Sequence, residues 1–195
     1  MNLPNKLTLG RMIATPLFMA AMLWQFPYHY TVALVLFVAA SLTDMLDGKI
    51  ARKYNLITDF GKFLDPLADK MLTTSAFIGF LAVFGGTTYA VQTAVVLFVV
   101  LFREFAVSSL RLVAVTAGGE VIAANYWGKA KTVCQMVGLV WALFCYVLTE
   151  DFGVTAIAAW GNISIIVLFW LSAALCVISG VIYLKGGWHY ISAAK

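Results

Sequence analysis

Asp44, Asp47, Asp65 and Asp69 lie within 26 residues of one another in a chain that is 63% hydrophobic and only 11% charged. Asp44 and Asp47 are followed by Gly48 and Ala51, so the four fall at offsets of 0, 3, 4 and 7. At about 100° per residue those offsets share one narrow helical face. Asp65 and Asp69 are four apart and again share a face, at the start of the next helix. The segment 53–64 between the two pairs is a short connection, so the two helices are expected to be antiparallel neighbours. Four carboxylates would then converge at one end of a helix pair.

Carboxylates so placed repel one another, and acids in a membrane are expensive unless paired. Either some are protonated or cations sit between them. Oxygen ligands with no His or Cys nearby favour a hard ion, Mg²⁺ or Mn²⁺, which usually shares its coordination with substrate phosphates. Four carboxylates suffice for two such ions about 4 Å apart, a geometry suited to displacement at phosphorus. Gly48 and Ala51 would let a ligand approach the helix backbone, and Arg52, four residues after Gly48, could meet a phosphate. Gly61 would leave space before the next helix, and Pro66 fits the first turn of that helix, where no backbone donor is lost. The plainer alternative is local ion pairing, of Asp47 with Lys49 and of Asp69 with Lys70.

The spacing D-x-x-D-G-x-x-A-R-x8-G-x3-D-x3-D is filled without departure by Asp44, Asp47, Gly48, Ala51, Arg52, Gly61, Asp65 and Asp69. It resembles the signature of the CDP-alcohol phosphotransferases. That resemblance implies a six-helix membrane enzyme, a homodimer, with a two-metal site near the cytoplasmic face. It implies that Asp44, Asp47, Asp65 and Asp69 hold two divalent cations, Mg²⁺ or Mn²⁺, and that Asp69 is also the general base. Asp44, Gly48, Ala51, Arg52 and Gly61 would surround the CDP group of the donor.

The elements that must position these residues follow from composition. A mean hydropathy of +0.93 is far above what a water-exposed surface can carry. Continuous apolar runs, rather than alternating ones, predict helices and not a barrel. The expected fold is an all-α integral membrane protein, a single domain over 1–195. Six spans are expected, near 12–26, 30–50, 63–84, 89–117, 129–148 and 162–184, preceded by a short N-terminal segment lying along the interface. All thirteen Lys and Arg fall at the N-terminus, at the 2–3 and 4–5 connections with their adjoining helix ends, or at the C-terminus. That bias predicts cytoplasmic termini and a cytoplasmic charged stretch. It also explains a pI near 9.0 without nucleic acid. Cys134, Cys145 and Cys176 lie in apolar runs with no paired spacing, and they are read as reduced packing residues.

A second set of charges bears on the acceptor. Arg103 and Arg111 are two turns apart on the fourth span, and Lys129 and Lys131 open the fifth. Cations at a helix N-terminus oppose the macrodipole, and with the free backbone N–H groups there they would make an anion pocket. A phosphorylated alcohol is therefore favoured over serine, choline or ethanolamine. The blocks NLPNKLTLGR, TDFGKFLDPLADK, REFAVSSLRL and WGKAKT are similar to those of bacterial family members acting on CDP-diacylglycerol and glycerol 3-phosphate. This implies phosphatidylglycerophosphate as product, in a bacterial cell membrane. It makes Arg103, Arg111, Lys129 and Lys131 the candidates for the acceptor phosphate. Competing readings are a same-fold synthase using inositol phosphate or phosphatidylglycerol, and a divalent-cation transporter. The transporter should place its acids near the midplane of repeated, broken helices, and no repeat is visible.

Overall fold

The computed structural model describes residues 2–54, 58–116 and 126–192. Six α-helices follow one another: α1 (Leu3–Leu23), α2 (His29–Lys53), α3 (Asp59–Val83), α4 (Thr88–Thr116), α5 (Tyr126–Tyr146) and α6 (Thr155–Ser192). A π-helical turn, Val147–Asp151, extends α5, and no strand occurs among the described residues. Helices are the answer a bilayer demands, because each satisfies its own backbone polar groups. Among the described residues, five are long and apolar enough to cross a membrane, namely α1, α2, α4, α5 and α6. The protein is thus a multi-pass, all-α membrane protein. In α3 the first three turns carry Asp59, Lys62, Asp65, Asp69 and Lys70, so its uninterrupted apolar run starts only at Met71.

Helix boundaries depart from the sequence expectation in three places. First, no separate interfacial segment precedes the first span. Asn2 caps α1 by accepting from the Asn5 N–H at 3.2 Å, Pro4 occupies the first turn, and the helix then runs unbroken to Leu23. Second, α3 starts earlier than expected, because Thr58 caps it by accepting from the Gly61 N–H at 3.0 Å. Pro66 therefore lies inside the helix and not in its first turn, so the carbonyl four residues before it loses its helical donor. Third, α6 (Thr155–Ser192) extends beyond the expected 162–184 at both ends, running through Gly186 and Gly187.

Packing brings the larger surprise. Helices α2 and α3, expected to be neighbours, scarcely touch, whereas α1 packs extensively against both. The last three helices form the other half, with α6 against α4 and α5, and contacts of α3 with α4 and of α2 with α5 join the halves. The shared core is aromatic. Phe77 and Phe80 of α3 meet Phe169 of α6 edge-on, at 4.9 and 5.9 Å between ring centroids, and Phe18 of α1 meets Phe37 of α2 at 5.5 Å. Gly79 admits Met22, whose sulfur would lie 2.8 Å from any added Cβ, so α1 and α3 come unusually close there. Cys145 and Cys176 are buried free thiols, as their apolar setting predicted.

The two ends of the bundle differ chemically. At one end Asp151, at the close of the π turn, accepts from both the Thr31 N–H (2.6 Å) and its hydroxyl (2.7 Å). That carboxylate caps the start of α2, where negative charge is favoured. The opposite end gathers the start of α1, the end of α2, the start of α3, the end of α4, the start of α5 and the end of α6. Polar contacts between them, from Thr8–Asp65 to Arg111–Tyr183, tie it together. Every motif residue lies at this second end.

Candidate active site

The buried end of α1 supplies the first layer. Thr8 donates its hydroxyl to Asp65 Oδ1 at 2.8 Å, and Arg11, only 2% exposed, pairs through Nη1 with Asp44 Oδ1. Asn5 and the capping Thr58 exchange hydrogen bonds at 3.0 and 3.1 Å. Asp44 thus reaches the site from α2 and Asp65 from α3, each with one oxygen held by α1. Asp69, one turn after Asp65, has no side-chain partner among the described residues and opens into a cavity of about 690 Å³. It is close enough to Asp44 for the two charges to repel, and Lys131, Glu104 and Arg11 act on it electrostatically as well.

Of the carboxylates expected to converge, Asp44 and Asp69 lie within electrostatic reach of each other, and Asp44 and Asp65 are each tied to α1. The side chains of Asp47, Ala51 and Arg52, and the surroundings of Gly48, lie outside the described residues, although α2 runs through these positions. Gly61 departs from expectation. A Cβ there would meet Asn5 Oδ1 at 2.9 Å and Thr58 Oγ1 at 3.2 Å. The room that this glycine leaves is occupied by α1. Lys70, weighed as an ion-pair partner of Asp69, instead donates to Ser108 Oγ on α4 at 2.6 Å.

The donor set suits a hard cation. Asp44 and Asp65 each keep one carboxylate oxygen without a partner among the described residues, the Asp44 side chain is 45% exposed, and Asp69 faces open space. Among the described residues no three acids, His or Cys are grouped closely enough to hold a metal ion by themselves. Oxygen ligands that are accessible, separately anchored and incomplete on their own fit a cation that also takes oxygens from a phosphate substrate.

The cavity above Asp69 is mostly apolar, bounded by Met12 and Pro16 of α1, Ile78 of α3 and Phe105 of α4, with Lys131 and Glu104 at its polar side. Here the second set of charges is sorted by direction. Lys131 is buried and donates to Glu104 Oε1, which also accepts from Arg103 Nη1 at 3.1 Å. Arg103 reaches Ser179 Oγ on α6 at 2.6 Å, and Arg111 reaches the Tyr183 hydroxyl at 2.9 Å. Both guanidinium groups lie over the Tyr183 ring, at 5.5 and 5.3 Å from its centroid. Arg103 and Arg111 do face the same way, toward α6. Lys129, two residues from Lys131 and so on the opposite side of α5, is exposed.

Sequence reasoning missed Thr8, Arg11 and Glu104 as neighbours of the site. A signal existed for each. Asn5, Thr8, Arg11 and Thr15 are spaced by three, three and four, a polar stripe on an otherwise apolar helix. Glu104 is the only acid between Lys70 and Glu120, and an isolated acid in a span needs a partner.

A helical membrane protein with accessible carboxylates at one end, a basic network beside them and an apolar cavity between has parts suited to a transferase acting on a lipid phosphate. The sequence profile of the CDP-alcohol phosphatidyltransferase family matches residues 1–184, and the chain belongs to that family. Among its relatives, the CDP-diacylglycerol–glycerol-3-phosphate 3-phosphatidyltransferase of Bacillus subtilis (strain 168) is 37% identical, covering 100% of this chain and 99% of the relative. The same enzyme name belongs to a Rickettsia bellii protein that is 36% identical over 94% of each chain. A cardiolipin synthase (CMP-forming) of Oryza sativa is 32% identical over 98% of this chain and 59% of its own length.

Proposed function

We propose that the protein transfers the phosphatidyl group of CDP-diacylglycerol to glycerol 3-phosphate, giving phosphatidylglycerophosphate and CMP. The observation that carries this reading is that Asp69 lies within electrostatic reach of the Asp44 carboxylate and lines one cavity with Lys131 and Glu104 of the buried network. The first neighbour belongs to the nucleotide-lipid signature, and the network offers cations to a phosphorylated acceptor. The named activity of the Bacillus and Rickettsia relatives supports the same substrates.

In this reading Asp44, Asp47, Asp65 and Asp69 hold two divalent cations, Mg²⁺ or Mn²⁺. When bound, these supply charge neutralisation at the pyrophosphate and stabilise the transition state. Asp44, Gly48, Ala51, Arg52 and Gly61 form the donor's nucleotide site, Gly61 by allowing the close seat of α1. Asp69 takes the proton of the acceptor hydroxyl, which attacks the lipid-side phosphorus while CMP departs. The apolar walls of the cavity keep bulk water from competing as nucleophile. Lys131, with Arg103, Arg111 and Lys129 around the same helix ends, orients the acceptor phosphate. The basic end of the bundle faces the cytoplasm with both termini, six helices span, and the enzyme works as a homodimer in a bacterial cell membrane.

Purified protein with Mg²⁺ or Mn²⁺ is expected to release CMP from CDP-diacylglycerol on addition of glycerol 3-phosphate. It should not do so with inositol 1-phosphate, phosphatidylglycerol or serine. Release driven by phosphatidylglycerol would favour the activity named for the rice relative. A divalent-cation transporter would release no CMP with any acceptor.

The acceptor half has its own test. Lys131→Ala should raise the KM for glycerol 3-phosphate by about tenfold or more, the loss of a charge-assisted contact, and leave the donor KM near wild type. Equal changes in both would remove Lys131 from the acceptor site.

A further inference from the structure

The contacts of α1 carry a role that the eight-residue signature does not contain. Asn5, Thr8, Arg11 and Thr15 form one stripe, and each is less than a tenth exposed. A helix resting on a membrane surface would turn such a stripe to water. Here it turns inward and meets the site at three points: Thr58 at the cap of α3, Asp65 on α3, and Asp44 on α2. Because α2 and α3 scarcely touch, the distance between their acids is not set by direct packing of the two helices. It is set through α1.

The details suit anchoring. The one hydroxyl proton of Thr8 faces, among the described residues, the Pro4 carbonyl at 3.1 Å and Asp65 Oδ1 at 2.8 Å. The shorter, charge-assisted bond claims the proton, because the carboxylate is the stronger acceptor. Arg11 places a fixed positive charge beside Asp44 and within electrostatic reach of Asp69, offsetting a repulsion that would otherwise push the two acids apart. In both pairs the carboxylate has one oxygen tied and one available.

We propose that Thr8 and Arg11 are positioning residues of the cation site, each fixing one oxygen of Asp65 or Asp44 so that the other points to a divalent cation. The proposal rests on the reading of these aspartates as cation ligands. Groups that orient a ligating carboxylate ordinarily change metal affinity when removed, by about 10- to 100-fold.

The test is Mn²⁺ binding to the purified full-length protein without substrate, followed through the electron paramagnetic resonance signal of free Mn²⁺, alongside metal-free thermal unfolding. Thr8→Val keeps the shape and deletes the hydroxyl; it should weaken Mn²⁺ binding about tenfold at an unchanged metal-free unfolding midpoint. Thr8→Ser should restore the affinity. Arg11→Lys keeps the charge but loses the planar fork, and it too should bind Mn²⁺ more weakly. Charge-removing variants of Arg11 are less informative, since losing a cation would itself favour metal. Wild-type affinity in both Thr8→Val and Arg11→Lys would overturn the proposal, and so would a weakening matched by loss of metal-free stability. If Asp44→Asn and Asp69→Asn also bind Mn²⁺ like wild type, the fault lies in the underlying reading of the acids.

Discussion

Asp69→Asn should lower turnover by at least about a thousandfold, the upper range for loss of a positioned base, with the protein still folded. The structure explains why the two effects separate. The Asp69 carboxylate opens into the cavity and has no hydrogen-bond partner among the described residues, so an isosteric amide breaks nothing that holds α3 in place. What it removes is a proton acceptor and one oxygen charge beside Asp44. Single-turnover CMP release and a thermal melt, measured on the same preparation, check both halves. Retention of more than about a tenth of wild-type turnover would rule out Asp69 as the base, since general bases contribute 10²–10⁴-fold.

Chelation should have an effect as large. Of Asp44, Asp65 and Asp69, only Asp44 has a cationic side chain paired to it among the described residues, and Asp65 is met by a neutral hydroxyl. A pyrophosphate brought among these carboxylates would add further negative charge to a site already rich in it. Removing divalent cations with EDTA should therefore reduce CMP release to background, and adding back Mg²⁺ or Mn²⁺ should restore it. Persistent activity after exhaustive chelation would show that the carboxylates act without metal. In that case Arg11 and Lys131 would have to neutralise the substrate alone.

Much of this was legible in the sequence, for physical reasons that differ by element. Long apolar runs have few stable forms in lipid, so the four middle helices could be placed within a few residues, whereas α1 and α6 run well beyond their expected bounds. The aspartate spacing carried the chemistry because helical offsets of three and four put ligands on one face whatever lies around them. Who packs against whom was not legible. A short connection between α2 and α3 suggested that they touch, but α1 is inserted between them. That arrangement depends on Asn5 fitting against Gly61 and Met22 against Gly79, matters of side-chain volume that no spacing rule encodes. For the same reason the N-terminal ten residues were misjudged. Their mix of polar and apolar residues suggested a segment lying along the interface, whereas the buried stripe of Asn5, Thr8 and Arg11 faces a protein surface that exists only after folding.

The basic residues teach a related lesson. Arg103, Arg111, Lys129 and Lys131 were grouped by their place in the chain, and the structure separates them by direction. Lys131 faces Glu104 and the cavity, the two arginines flank Tyr183, and Lys129 is exposed. Glu104 is the hinge of this network, holding Lys131 and Arg103 through a single oxygen. Burying two cations in a membrane protein without such a counter-charge would be costly, so the acid belongs to the pocket as much as the bases do.

The most direct measurement follows one oxygen atom through the reaction. Glycerol 3-phosphate carrying ¹⁸O in its primary hydroxyl is incubated with CDP-diacylglycerol, divalent cation and the purified protein, and the products are resolved by mass spectrometry. Attack by that hydroxyl on the lipid-side phosphorus places the label in phosphatidylglycerophosphate and leaves CMP unlabelled. Unlabelled phosphatidic acid with CMP would mean that water is the nucleophile, and phosphatidic acid with a labelled cytidylyl ester of glycerol 3-phosphate would mean attack on the cytidine-side phosphorus. Either result would contradict phosphatidyl transfer at this site.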